Sequence, residues 1–193
     1  LHSMNPDWNI AVTFHTRSLK PQFQNLITRF TIEHTKMEPD WSQVHVLQSW
    51  GGGSSPGVYY DAVKMHGGRF LDFSTAKADA EGGTDPFDYA CSSFLRENEL
   101  ISPTYDAILV DEAQDLPTSF LKLCYQLVKK PKRLVIAYDE LQKLNESDPI
   151  DLEAVLGENA SLQNRPGEPM RDITLSRCYR NSRPVLTIAH ALG

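Results

Sequence analysis

The chain has 193 residues, 40% hydrophobic and 23% charged, with a formal net charge of −6. That length predicts one globular domain with a core of its own, and the absence of any run near 18 apolar residues excludes a transmembrane helix. The acidic balance excludes a protein that coats nucleic acid nonspecifically, so a nucleic-acid contact must use a local groove or a surface supplied by other parts of the protein.

In chain order, Leu1 to Asn5 have neither a basic n-region nor an apolar h-region, so a signal peptide is not expected. Trp8 to Phe14 reads as a buried strand. Lys20 to Phe30 follows as an amphipathic helix, with Phe23, Leu26, Ile27 and Phe30 at helical spacing and Pro21 in its first turn. Val44 to Leu47 is a second short strand, ending at Gln48, Ser49 and Trp50. Residues 51–57 form a glycine-rich loop, and Val58 to Met65 a short helix. Residues 66–84 are polar and glycine-rich around one apolar island, Phe70 to Phe73. Pro86 to Asn98 is a helix with Asp85 as its N-cap. The central strand comes next, where Ile108, Leu109 and Val110 form a short continuous apolar run expected of a strand covered on both faces. Pro117 to Val128 is a helix, with Lys129, Lys130 and Lys132 at and beyond its C-terminus. Arg133 to Tyr138 is the next strand. A long polar connection from Leu144 to Met170 holds one helical turn around Leu152 to Leu156. Ile173 to Leu175 is a last short strand, and Pro184 to Leu192 a closing helix. Strands alternating with helices predict an α/β fold, a parallel sheet with helices on both faces in three α/β/α layers, within a single domain spanning 1–193. Cys91, Cys124 and Cys178 are widely spaced and form no CxxC pair, so neither a zinc site nor a disulfide framework is expected. A reducing, cytoplasmic location fits.

The chemistry is concentrated where the central strand ends. Val110-Asp111-Glu112-Ala113-Gln114-Asp115 places two adjacent carboxylates at the carboxyl end of a buried strand, where open α/β sheets bind ligands. Such a pair suits Mg²⁺ held by Asp111 and a water oriented and deprotonated by Glu112 for attack on a nucleoside triphosphate. Asp139 to Gln142 follows the next strand in the same way, and the neutral amide of Gln142 suits a phosphate and its attacking water. Arg180 lies between the last strand and the last helix and offers a guanidinium fork to a phosphate. At the end of the first strand, Phe14 is placed either to stack on a base, with Thr13, Thr16 and Arg17 near phosphates, or to fill the core ahead of a solvated turn, and Trp50 is a further candidate for nucleic acid. The glycine-rich loop 51–57 lacks the Gly-Lys-Ser/Thr ending of a phosphate loop, so it reads as a flexible or nucleic-acid-facing surface loop.

Together these segments resemble superfamily 1 helicases of the UvrD/Rep type. Thr13-Phe14-His15-Thr16 is similar to that family's motif Ia, Asp111-Glu112-Ala113-Gln114-Asp115 to its Walker B motif II, Asp139 to Gln142 to motif III, and Tyr179-Arg180-Asn181-Ser182 to motif IV. The resemblance covers most of the chain, in the family's order. It departs at Tyr138, where the family usually has Gly, and at Lys143-Leu144-Asn145, where base-stacking aromatics usually follow. It implies the first RecA-like motor domain, with the accessory insertion reduced to about residues 51–85. It implies ATP and Mg²⁺ as cofactors, Asp111 on the metal, Glu112 as catalytic base, Gln142 on the γ-phosphate and Arg180 as an arginine finger in cis. The family's Walker A motif would precede Leu1 and its second motor domain would follow Gly193, so the chain is expected to be a fragment. The implied partners are single-stranded or partly duplex DNA (or RNA) and the remaining helicase domains, with no membrane. Two other readings stay open: a helicase-like ATPase switch in a nuclease or defence complex, and a noncatalytic interaction module.

Overall fold

The computed structural model describes residues 1–80, 82–139 and 171–175, with Val155, Gly157 and Gly167. Gln142, Arg180 and the expected closing helix lie outside the described residues. The chain divides into two compact units, Leu1–Leu156 and Gly157–Gly193, and the sheet belongs to the first.

Four parallel strands, β1 (Ile10–Phe14), β2 (Val44–Gln48), β3 (Tyr105–Val110) and β4 (Val128–Ile136), pair in the order β2-β1-β3-β4. In β1 and β3, in the middle, β-branched and other apolar residues are buried on both faces, as expected for parallel strands that helices cover. Register fixes what each face carries. Ala11 pairs with Ile108 and Thr13 with both Leu47 and Val110, so these side chains share one face. Val12 pairs with Val46 and Leu109, and Leu109 with Val135, on the other.

The first face is covered by α2 (Val58–Met65), α4 (Pro86–Glu97) and α5 (Thr118–Leu127), whose Tyr59, Phe94, Phe120 and Leu121 join Ala11, Ile108 and Val110 in one core cluster. Each of these large side chains contributes roughly 1.5–3 kcal/mol by leaving water. The opposite face takes α1 (Lys20–Thr35), whose Phe23 ring stacks on Phe14 at 5.0 Å and 8°. The three-layer α/β/α arrangement expected of a RecA-like domain is therefore present. Helix α1 has no fully buried residue, and beyond it Val135 of β4 is 52% exposed. No helix among the described residues is long and apolar enough to cross a membrane.

Several boundaries differ from the sequence reading. Helix α1 runs five residues past Phe30, because Lys36 adopts φ 62° and its N–H closes the last turn on Ile32. A helix not anticipated in the glycine-rich stretch, α3 (Phe73–Asp79), starts at Asp72, whose carboxylate accepts the Thr75 N–H. The Asp85 cap is as expected: its carboxylate accepts the N–H groups of Phe87 and Asp88. Strand β4 begins at Val128, opposite Tyr105, and regains pairing at Arg133 after an irregularity that carries Lys129 to Lys132. Ile173 to Leu175, expected as a strand, is in no regular element, and Ile173 is 60% and Leu175 88% exposed. Within the expected helical turn of the long connection, Val155 is helical and buried.

Candidate active site

The outlets of β3 and β4 lie side by side and are tied by backbone hydrogen bonds. The Ala137 N–H donates to the Val110 carbonyl at 2.8 Å, and the Ala113 N–H to the Ala137 carbonyl at 3.0 Å. On the other side the Asp111 N–H donates to the Thr13 carbonyl at 2.9 Å. Asp111 and Glu112 thus emerge at the carboxyl edge of a central strand, anchored to both neighbours, each half-buried.

The chain turns sharply at Glu112, which has φ 51° and ψ 47°, a left-handed conformation that a residue with a Cβ adopts at a cost of roughly 1–3 kcal/mol. A single 3-10 turn over Ala113–Asp115 follows. It brings Gln114 back over the edge, where its Nε2 donates to Glu112 Oε2 while its Oε1 accepts the Asp139 N–H at 3.2 Å. Gln114 was not singled out from the sequence. The available signal was its place two residues after Glu112, where a tight turn sets the two side chains together.

Of the residues expected at nucleic acid, Thr16 and Arg17 are exposed just past the carboxyl end of β1. Phe14 is a correction. It is 0% exposed and stacked on Phe23, so its ring is core and has no free face for a base. Thr13 is likewise fully buried; its hydroxyl has no hydrogen-bond partner among the described residues, and what it gives the site is its carbonyl under Asp111. Trp50 is partly buried, its indole N–H donating to the Leu71 carbonyl at 2.9 Å and its ring stacked on Phe87 at 4.7 Å, which fastens the outlet of β2 to the helical layer. The contribution of Gln142 and Arg180 falls outside the described residues.

The glycine-rich loop closes on itself. Gly52 and Ser55 exchange N–H···O bonds of 2.8 and 3.1 Å. A Cβ on Gly51, at φ 76°, would sit 2.5 Å from the Gly57 Cα, so the two backbones touch where only glycine fits. With the Gly52 and Ser55 N–H groups spent internally, the loop is a latched turn in which those two donors do not face a phosphate.

An open groove of about 470 Å³ runs along α3 and α4, lined by Asp79, Thr84, Asp88, Tyr89, Ser92 and Arg96. It shares no residue with the carboxylate edge.

Among the described residues no group of three His, Cys, Asp or Glu side chains gathers as a metal site. One carboxylate is nonetheless a sufficient protein donor for Mg²⁺, which keeps several waters and takes its other ligands from substrate phosphates. Asp111 fits that donor set. No family model matches the chain, and no curated protein or solved structure was found to be similar to it.

Proposed function

We propose that this chain is the ATP-binding core of a helicase or translocase that couples Mg-ATP hydrolysis to movement on single-stranded nucleic acid, DNA in the first instance. The observation that carries the reading is the pair Asp111–Glu112 at the outlet of a central parallel strand, with the outlet of β4 hydrogen-bonded beside it. Bound there, Mg²⁺ would neutralise charge on the phosphates. Asp111 would hold that ion. Glu112, clamped by the turn and by Gln114, would accept the proton of the attacking water. Gln142 and Arg180 are assigned to the γ-phosphate by resemblance, and Thr16 and Arg17 to a nucleic-acid backbone by their exposure at the same edge as the carboxylates.

The test is nucleic-acid-stimulated ATP hydrolysis by the intact protein. Glu112→Gln keeps the shape and removes the base, so turnover should fall by about 10²–10⁴, roughly 3–5 kcal/mol of barrier, with ATP affinity retained. Asp111→Asn should instead weaken Mg-ATP binding itself. Arg180→Ala should slow hydrolysis by about 10³–10⁵ if it is the finger. Near-normal turnover in Glu112→Gln would remove these carboxylates from the chemistry and put the interaction-module reading first.

A further inference from the structure

We propose that Gln114 is a positioning residue that couples the orientation of the Glu112 carboxylate to the segment leaving β4. The inference rests on the reading of Glu112 as the base and adds a means of regulating it. The amide is used at both ends. A backbone N–H can only donate, so the atom facing Asp139 must be Oε1, and Nε2 is then directed at Glu112. The side chain is partly buried, and the atoms it joins belong to two different strand outlets. Glu112 itself is in the left-handed conformation, between Asp111 and Ala113, whose N–H groups are bonded to the Thr13 and Ala137 carbonyls. If the backbone at Asp139 shifts when the β4 outlet meets a ligand, the Gln114 amide must follow it or lose an acceptor. Either response changes the donor on Glu112. Through this strut, occupancy at the β4 outlet is felt at the base, with no movement required of either strand.

Neither an alanine nor a glutamate at 114 could serve as the same link. Alanine reaches neither partner, and glutamate would keep the acceptor for Asp139 while setting a second carboxylate against Glu112, where like charges repel.

Hydrogen exchange of the Asp139 amide, read by NMR in the 193-residue chain, tests the strut without any turnover. Protection should fall about three- to tenfold in Gln114→Ala. It should fall less in Glu112→Ala, and no further in the double variant than in Gln114→Ala alone, because the two groups act through one link. Gln114→Met, of similar length but without the amide, repeats the measurement should the alanine variant fail to fold. In the intact protein Gln114→Met should lower kcat for ATP about tenfold with KM unchanged. Unchanged Asp139 protection in both Gln114 variants overturns the proposal, as does an unchanged kcat. A Glu112→Gln protein that still turns over ATP sinks the functional reading instead, and the exchange data then stand on their own.

Discussion

At the scale of single residues, Phe14 shows how one aromatic at a strand end can be read two ways. From the sequence it is placed to stack on a base or to fill a core, and nothing local separates them. Register decides it: Phe14 falls on the α1 face, opposite Gln48, and Phe23 arrives one helical turn into α1 to stack on it. Phe14→Ala should therefore cost about 3–5 kcal/mol of stability, as large core truncations do. Phe14→Leu should leave nucleic-acid affinity of the intact protein unchanged. Chemical denaturation and a fluorescence binding titration check the two parts; an alanine variant of normal stability with impaired binding would restore the base-stacking role. Glu112 makes a complementary point. Its identity was legible as a carboxylate after an apolar strand, but its left-handed backbone was not, because no glycine, asparagine or proline marks the turn. The bend is enforced from outside, by bonds from Asp111 to Thr13 and from Ala113 to Ala137.

At the scale of elements, the strands were legible because their apolar runs are short and bounded, and the helices because their apolar spacing is regular. Helix α3 was hidden by the glycines around it, and its one signal, Asp72 three residues before Thr75, is a cap that many non-helical turns also carry. The extension of α1 was hidden because residues 31–35 are mostly polar, and the helix there is held by its C-terminal turn instead of by burial. The start of β4 is held by long-range contacts that no local pattern reveals. Lys129 donates to Asp106 at 2.9 Å, and the Asn9 N–H donates to the same carboxylate at 2.9 Å. Partial burial pushes the Asp106 carboxyl up, but the Lys129 ammonium and the Asn9 N–H outweigh it and hold the carboxyl below its usual range. A carboxylate depressed in the folded state stabilises above its unfolded pKa of about 3.9 and loses that contribution as pH falls through the folded value. Asp106→Asn should therefore lower the melting temperature at neutral pH, with the difference from wild type shrinking as pH falls below about 4. Thermal melts across that range check it. A deficit of the same size at all pH values would mean that the residue acts through shape and not through charge.

At the scale of the whole molecule, the sheet has one well-covered face and one covered only in part. The face under α2, α4 and α5 carries the large buried aromatics, while α1 spans the β1–β2 side of the other and leaves Val135 open. At the β4 end, Lys129, Lys130, Pro131 and Lys132 are residues that discourage further strand pairing, but they occupy only its start. The parallel order and the convergence of strand outlets were legible from alternation alone, and the carboxylates from their place after Val110. The binding partners of those outlets were not, because a ligand site in such a fold is assembled from segments far apart in sequence. Phosphate affinity is the sharpest case. Nucleotide-hydrolysing sites of this kind hold β- and γ-phosphates mainly through a glycine-rich loop ending in Lys and Ser or Thr. This chain contains no Gly-Lys-Ser or Gly-Lys-Thr, and its glycine-rich loop at 51–57 spends the N–H groups of Gly52 and Ser55 on itself. Under the proposed function, what the described residues leave for a nucleotide is a metal bridge through Asp111, whose gain is offset by the repulsion of four carboxylates, Asp111, Glu112, Asp115 and Asp139, from a polyphosphate. The 193-residue chain should therefore bind Mg-ATP with a Kd weaker than about 1 μM, short of about −8 kcal/mol, and hydrolyse it negligibly. Isothermal titration with Mg-ATP measures this directly. Submicromolar binding would mean that the chain carries a phosphate site of its own, and Gly52→Ala and Ser55→Pro variants would then show whether the latched turn opens to supply it.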